Sequence, residues 1–247
     1  MKVDAAAVVR HLKRVYMPGA GIRDAVLRDR WETAAEGKDV VVVAPPLAGA
    51  APLPEPFGIE LKPVIDAMDH LGPAVEVTAE HSHLALHRVG DPGNAVRLLR
   101  IDIDDDPGHV SSWIDPGTAR DVFDRLPAAS AQPVATATLR EVEDARRMLG
   151  AERVELRVGP HGGAWTVVGS AERTHTGQRA TIGTDLTADE SYTLTFDAGP
   201  VRGLLPVLFR WANNPRIHLH GPKRPVVFVD DDGWRWMLAP REARHTV

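Results

Sequence analysis

His81, His83 and His87 share parity, so an extended strand would turn all three imidazoles to one face, and His218 and His220 repeat that two-residue spacing. Neutral imidazoles gathered on one face are raw material for a metal centre. No Asp/Glu–His set with ligand spacing accompanies them, however, and imidazoles at alternate positions are common on exposed strands. Asp102-x-Asp104-x-Asp106 begins like a calcium loop, but its twelfth position is Trp113, where a bidentate Glu is required. Gly159-Pro160-His161-Gly162-Gly163 lacks the lysine and the strand-to-helix setting of a phosphate loop and reads as a hairpin turn. No Gly-x-Ser-x-Gly nucleophile motif is present, and with no cysteine there are no disulfides or thiolate ligands. The remaining chemistry is electrostatic. Arg10, Lys13 and Arg14 fall at i, i+3 and i+4; Arg140, Arg146 and Arg147 form a second group; Arg202 and Arg210 form a third. Lys62 is a lone cation near His70, beside Asp66 and Asp69. Cationic helix faces attract phosphates without reading bases, although any one such face is equally well explained as merely solvated.

Those cations sit on segments with helical periodicity. Residues 4–17 have Asp4 as N-cap, an apolar stripe of Ala5, Val8, Val9, Leu12 and Tyr16, and Pro18-Gly19 as terminator. Residues 62–71 carry Val64, Met68 and Leu71 inward and stop at Gly72. Residues 139–149, capped by Thr138, turn Leu139, Val142, Ala145 and Leu149 inward; residues 200–212 do so with Val201, Leu204, Leu205 and Leu208. Pro206 falls inside that last helix, where a proline costs about 3 kcal/mol or bends the helix, and the segment could be two short pieces. Strand patterns separate the helices at 39–44, 57–61, 74–78, 83–87, 96–103, 134–138, 153–158, 164–168, 192–196, 216–220, 226–229 and 234–238. Asp231-Asp232-Gly233 is a hairpin turn between the last two.

The order strand, short helix, then two or three antiparallel strands recurs about four times. Two such units in each half predict an α+β protein of two similar domains, 1–103 and 132–240, each a curved sheet with two helices on one face. A connector spans 104–131, with a short helix near 118–126, and a polar tail spans 241–247. The net charge of −5 argues against a uniformly basic nucleic-acid binder, though not against basic residues segregated to one face. No apolar run approaches the roughly 20 residues that span a bilayer, and no signal-peptide core follows Met1. A reducing cytoplasm is the expected compartment.

The C-terminal stretch sharpens this. Arg224-Pro225-Val226-Val227-Phe228-Val229, the acidic turn Asp230-Asp231-Asp232-Gly233, and Trp234-Arg235-Trp236-Met237-Leu238-Ala239-Pro240 resemble the final hairpin of sliding DNA clamps, both the bacterial beta clamp and the proliferating cell nuclear antigen type. Phe196-Asp197, Leu204-Leu205 and Arg216-Ile217-His218-Leu219 also follow the clamp order; the first half matches in pattern more than in residues. The resemblance implies the DNA clamp fold, with two β-α-β-β-β units per domain, sheets on the outside and helices lining a ring. It implies a non-enzymatic, cofactor-free processivity factor that encircles duplex DNA. Two domains per chain imply a homotrimer, since such rings contain six. The lining set would be Arg10, Lys13, Arg14, Lys62, Arg140, Arg146, Arg147, Arg202 and Arg210. Polymerase and clamp loader would dock short peptides against Pro225, Met237, Ala239 and Pro240, with Val110, Trp113 and Ile114 of the connector as the other wall. Met237 could instead be core, and Trp113 could simply anchor its own loop. Two rivals stand beside this reading: a monomeric clamp-like accessory or decoy that closes no ring, and an unrelated α+β metal-dependent enzyme using the strand histidines.

Overall fold

The structure is a computed structural model that describes residues 2–50, 53, 55–80, 82–101, 116–169 and 178–241. It separates into two compact units, Met1–Gly37 with Val41–Val122, and Lys38–Val40 with Phe123–Val247. In the first unit β1 (Lys2–Asp4), α1 (Ala5–Val15), β2 (Asp24–Leu27), β3 (Thr33–Gly37) and β4 (Val40–Ala44) form one β-α-β-β-β repeat. The second repeat is β5 (Phe57–Glu60), α2 (Leu61–Leu71), β6 (Ala74–Ala79), β7 (His83–Arg88) and β8 (Asp91–Leu99). After α3 (Pro116–Asp124) the pattern returns as β9 (Ala131–Pro133), α4 (Thr136–Leu149), β10 (Ala151–Gly159), β11 (Gly162–Gly169) and β12 (Arg179–Thr184). The fourth repeat is β13 (Tyr192–Asp197), α5 (Ala198–Trp211), β14 (Arg216–Leu219), β15 (Val226–Val229) and β16 (Arg235–Leu238).

Within each unit the two repeats exchange their first strands. β1 pairs with β6, placing Val3 opposite Val75, while β5 pairs with β2, placing Ile59 opposite Ala25. The second unit does the same: β9 pairs with β14 and β13 with β10, where Leu194 faces Leu156. Within the units the strands follow one another as β1-β6-β7-β8 and β5-β2-β3-β4, then β13-β10-β11-β12 and β9-β14-β15-β16. All the pairings that join the repeats are antiparallel.

Local chemistry explains the helix ends. Asp4 Oδ1 accepts from Ala6 N at 2.9 Å and Ala7 N at 3.3 Å, satisfying two of the orphan donors that open α1. Ala5, Val8, Val9, Leu12 and Val15 are its buried stripe; Tyr16 is the C-cap rather than part of the stripe. α4 begins at Thr136, not at a Thr138 cap, and residues 134–138 are no strand: Ala135 is the N-cap and Leu139 N already bonds back to its carbonyl. The β-branched run there favours a strand locally, but tertiary packing of Leu139 and Val142 outweighs that preference. At the far end Gly150 takes φ 55°, ψ 46° and returns its N–H to Arg146 and Arg147 carbonyls. α5 runs unbroken through Pro206, which is half-exposed on the side of exposed Arg202 and Arg210. The proline leaves one carbonyl without its helical donor, yet the helix continues past it to Trp211.

Asp230 organises the last hairpin. Its buried carboxylate accepts N–H bonds from Asn213 at 3.2 Å, Asp232 at 3.0 Å and Trp234 at 3.0 Å, tying the end of α5 to the β15–β16 turn. The β2–β3 connection is more strained, with Arg30 at φ 50° and Trp31 at φ 63°. Trp31 is fully buried there, and Thr33 Oγ1 donates to its carbonyl at 2.8 Å. Thr33 Oγ1 also lies 3.0 Å from His11 Nε2, so the buried imidazole is tied to the same turn.

His11 gives this region a pH signature. Burial pulls its pKa down from 6.5 to about 4; a hydrogen bond to the Trp31 backbone opposes the fall and the Arg14 charge adds to it. Between those values the unfolded chain binds a proton that the folded chain refuses. The contribution to stability is therefore complete above pH 6.5 and lost as pH falls towards about 4. The expected loss is roughly 3 kcal/mol at full development. Urea unfolding of His11→Gln across this range should show a flatter dependence on pH than the parent; an identical slope would assign the effect to another group.

Candidate nucleic-acid interface

The helices are paired within each unit, α1 against α2 and α4 against α5. α4 and α5 rest on β10–β13, and α2 rests on β5 to β8. Each buries its apolar stripe and leaves the opposite face to solvent. On α1 Arg10 is exposed and Lys13 and Arg14 are half-exposed. Lys13 Nζ reaches Asp69 of α2 at 3.5 Å. Lys62 is exposed and holds Asp66 at 2.5 Å one turn on. The hydrogen bond that Lys62 donates to Asp66, and then the Asp66 charge, raise the Lys62 pKa. Asp66, Asp69 and His70 make the rest of the α2 face acidic to neutral.

In the second unit Arg140 and Arg147 are exposed on α4, and Arg202 and Arg210 on α5. Arg146 departs from the expected set. It is buried, and its Nε and Nη2 each donate at 2.7 Å to the two oxygens of buried Glu143. The i, i+3 spacing of Glu143 and Arg146 was visible in the sequence; that the pair lies under the surface was not. Across the four helices eight cations on the outer faces (Arg10, Lys13, Arg14, Lys62, Arg140, Arg147, Arg202, Arg210) stand against four exposed acids (Asp66, Asp69, Glu141, Asp144). A chain of net charge −5 thus carries a positive excess on these faces. Phe209, which the sequence patterns did not single out, sits among them: the Arg140 and Arg210 guanidinium carbons lie 5.4 and 5.6 Å from its ring centroid.

Of the residues expected to receive a partner peptide, Val110, Trp113 and Ile114 lie outside the described residues. The others share the last hairpin. On β16 Trp236 and Leu238 point into the core, so Met237 emerges on the opposite face, half-exposed beside Val227. Pro225 is half-exposed ahead of β15, Ala239 N donates to the Asp39 carbonyl at 2.8 Å, and Pro240 is buried. Arg241 and Lys38 both engage the Asp197 carboxylate, Lys38 at 3.4 Å.

Two of the strand histidines, His218 and His220, are held by the backbone. His218 and His220 stack with centroids 6.1 Å apart, and their Nδ1 atoms donate to the Ala129 and Pro127 carbonyls at 2.9 and 2.7 Å. Burial lowers the His220 pKa. His83 Nε2 lies 3.1 Å from Glu80; His87 is half-exposed, and His81 is outside the described residues, as is the run 102–106. Among the described residues no group of three or more His, Asp or Glu is placed to hold a metal ion. A cavity of about 800 Å³ in the second unit lies between Ala129, Pro160, Thr187, Tyr192 and His220. Among the described residues no helix is long and apolar enough to cross a membrane.

The two neighbouring arginines of α4 should behave oppositely. Arg146→Gln strands the buried Glu143 carboxylate and should cost about 3 kcal/mol, seen as a lowered thermal midpoint. Arg147→Gln, at an exposed position, should stay within about 0.5 kcal/mol of the parent. Equal shifts would contradict the structural assignment of Arg146.

No family model and no curated protein matches the sequence. Solved structures do match. A DNA polymerase sliding clamp from Caulobacter crescentus superposes with TM-score 0.69 at 18% identity, over 97% of this chain and 64% of that one. The DNA polymerase III subunit beta from Pseudomonas aeruginosa gives 0.66 at 13%, covering 97% and 64%. The beta subunit of Streptococcus pyogenes DNA polymerase gives 0.67 at 14%, covering 97% and 65%. The chain therefore spans a little under two thirds of these relatives' length. Over nearly the whole of its own length, it has the fold of a DNA polymerase sliding clamp.

Proposed function

We propose that this chain is a sliding clamp subunit that closes around duplex DNA as a homotrimer and tethers a polymerase to it. The observation that carries the reading is the fourfold β-α-β-β-β repeat in the clamp fold, whose helices bear a cationic excess on their outer faces. Three copies of a two-unit chain supply six units. Contacts to phosphates alone attract DNA weakly, without sequence preference and with strong salt dependence, which suits a ring retained by topology. The domains are 1–103 and 132–240 with a connector at 104–131. The clamp performs no chemistry of its own and works in the cytoplasm.

Two sheet edges support self-assembly. Among the described residues β8 and β12 end their sheets. The end strands β1, β5 and β13 run directly into helices, and β9 does so after two residues, whereas β8 and β12 do not. An open edge of unpaired N–H and C=O groups is a template for another chain. Pairing β8 of one copy with β12 of the next is a head-to-tail contact, the kind that closes rings. The polymerase and the loader enter through short peptides at Pro225, Met237, Ala239 and Pro240, with Val110, Trp113 and Ile114 opposite.

Light scattering on the purified chain should give three times its 26.9 kDa mass, and negative-stain microscopy should show a central hole. A stable monomer at micromolar concentration would overturn the ring and favour the monomeric accessory. Combined Arg10→Glu, Arg14→Glu and Arg147→Glu should reduce retention on circular duplex and polymerase processivity about tenfold or more at low salt, with an unchanged circular dichroism spectrum. Unchanged retention would count against the helix faces as the DNA side.

A further inference from the structure

Phe209 is out of place on a face that meets only duplex phosphates. Phosphates call for cations, and the packing of α5 is already supplied by Val201, Leu204, Leu205, Val207 and Leu208. Yet Phe209 is half-buried at the solvent side of α5, with Arg140 from α4 at 5.4 Å and Arg210 at 5.6 Å from its ring centroid. Both arginines are exposed. The rest of the α5 stripe is low: half-exposed Gly203 and Pro206 lie between Arg202 and Arg210, so little stands in the way of a flat ligand. The two guanidinium groups lie over the ring, and an unpaired nucleobase matches them by taking the place of one guanidinium on the π face while its neighbouring phosphates pair with the displaced cation.

The geometry points to a single-stranded DNA site on the α4–α5 face, centred on Phe209 with Arg140 and Arg210. It rests on the reading that this face meets DNA and adds which form of DNA it grips. A base within a duplex is already stacked on its neighbours and offers Phe209 nothing, so duplex is held by phosphates alone. An unpaired strand adds stacking on Phe209, and binding there is tighter but still tolerant of sequence. A chain built this way distinguishes the junction between single and double strand from continuous duplex.

The test is fluorescence anisotropy with a labelled oligothymidylate of about 20 nucleotides and a duplex of equal length at one salt concentration. Phe209→Leu, which keeps apolar bulk but loses the π face, should weaken oligothymidylate binding about tenfold and leave duplex affinity within about twofold. Phe209→Trp should hold or tighten it. Arg140→Gln should weaken both forms and lower the salt slope by about 1. An equal effect of Phe209→Leu on both forms, or none on either, overturns the site. Should Phe209→Leu fail to fold, loss of oligothymidylate binding in a folded Phe209→Trp protein does the same. Retention on circular duplex reports on ring closure separately. Its absence in the parent protein would sink the ring while the single-strand preference still stood.

Discussion

Exchange of first strands between repeats is the constraint on which the rest depends. β1 belongs to the first repeat in sequence but to the sheet of the second repeat in space, and β5 is lent in return. β9 and β13 reproduce the exchange in the second unit. A single β-α-β-β-β repeat would leave its helix and its first strand without cover, so neither repeat of a unit is complete alone. The exchange also fixes the helices. Asp4, Glu60 and Asp197 each end a strand and serve as the N-cap of the next helix, so α1, α2 and α5 start where their donated strands stop. Once each strand is in register, the two helices of a unit are held side by side. The direction of each outer face follows from that register.

Charge is then distributed by which face a residue occupies, not by the composition of the chain. Some ionic side chains are consumed in structure. Glu143 and Arg146 neutralise one another beneath α4, and Asp230 is spent on three backbone donors. Lys13–Asp69 and Lys62–Asp66 are exposed pairs of little consequence for stability, but they offset part of the cationic potential of the first unit. The second unit keeps its excess on α5, whose solvent stripe carries Arg202 and Arg210 and no acid. Phe209 belongs to that less neutralised side. An overall negative protein can in this way keep a positive excess on its helix faces while its acids, such as Asp231 and Asp232, lie in turns elsewhere.

Much of this was legible in the residues. The four main helices were marked by apolar spacing and by Gly72 and Gly150 at their ends, and the last hairpin by its acidic turn, because these signals are local: a helix or a tight turn is specified within a few residues. β2 and β3 were not legible. Asp-Ala-Val-Leu and Thr-Ala-Ala-Glu-Gly are short and rich in alanine, with no alternation, because both faces are covered. β1 and β12 were equally silent, the first being three residues long and the second poor in apolar side chains.

The sequence by itself therefore determined the helices, most of the strands between them, the apolar stripes and the cations opposite them. Tertiary structure alone decided that the first strands are exchanged, that Arg146 faces inward to Glu143, that Met237 emerges on the face opposite Trp236, and that Phe209 lies between two arginines. The physical reason is the same in each case. Periodicity says which side of an element is apolar, but the partner that covers or flanks a side chain comes from elsewhere in the chain. Strand register sets which residues meet across that distance, and only the folded backbone contains it.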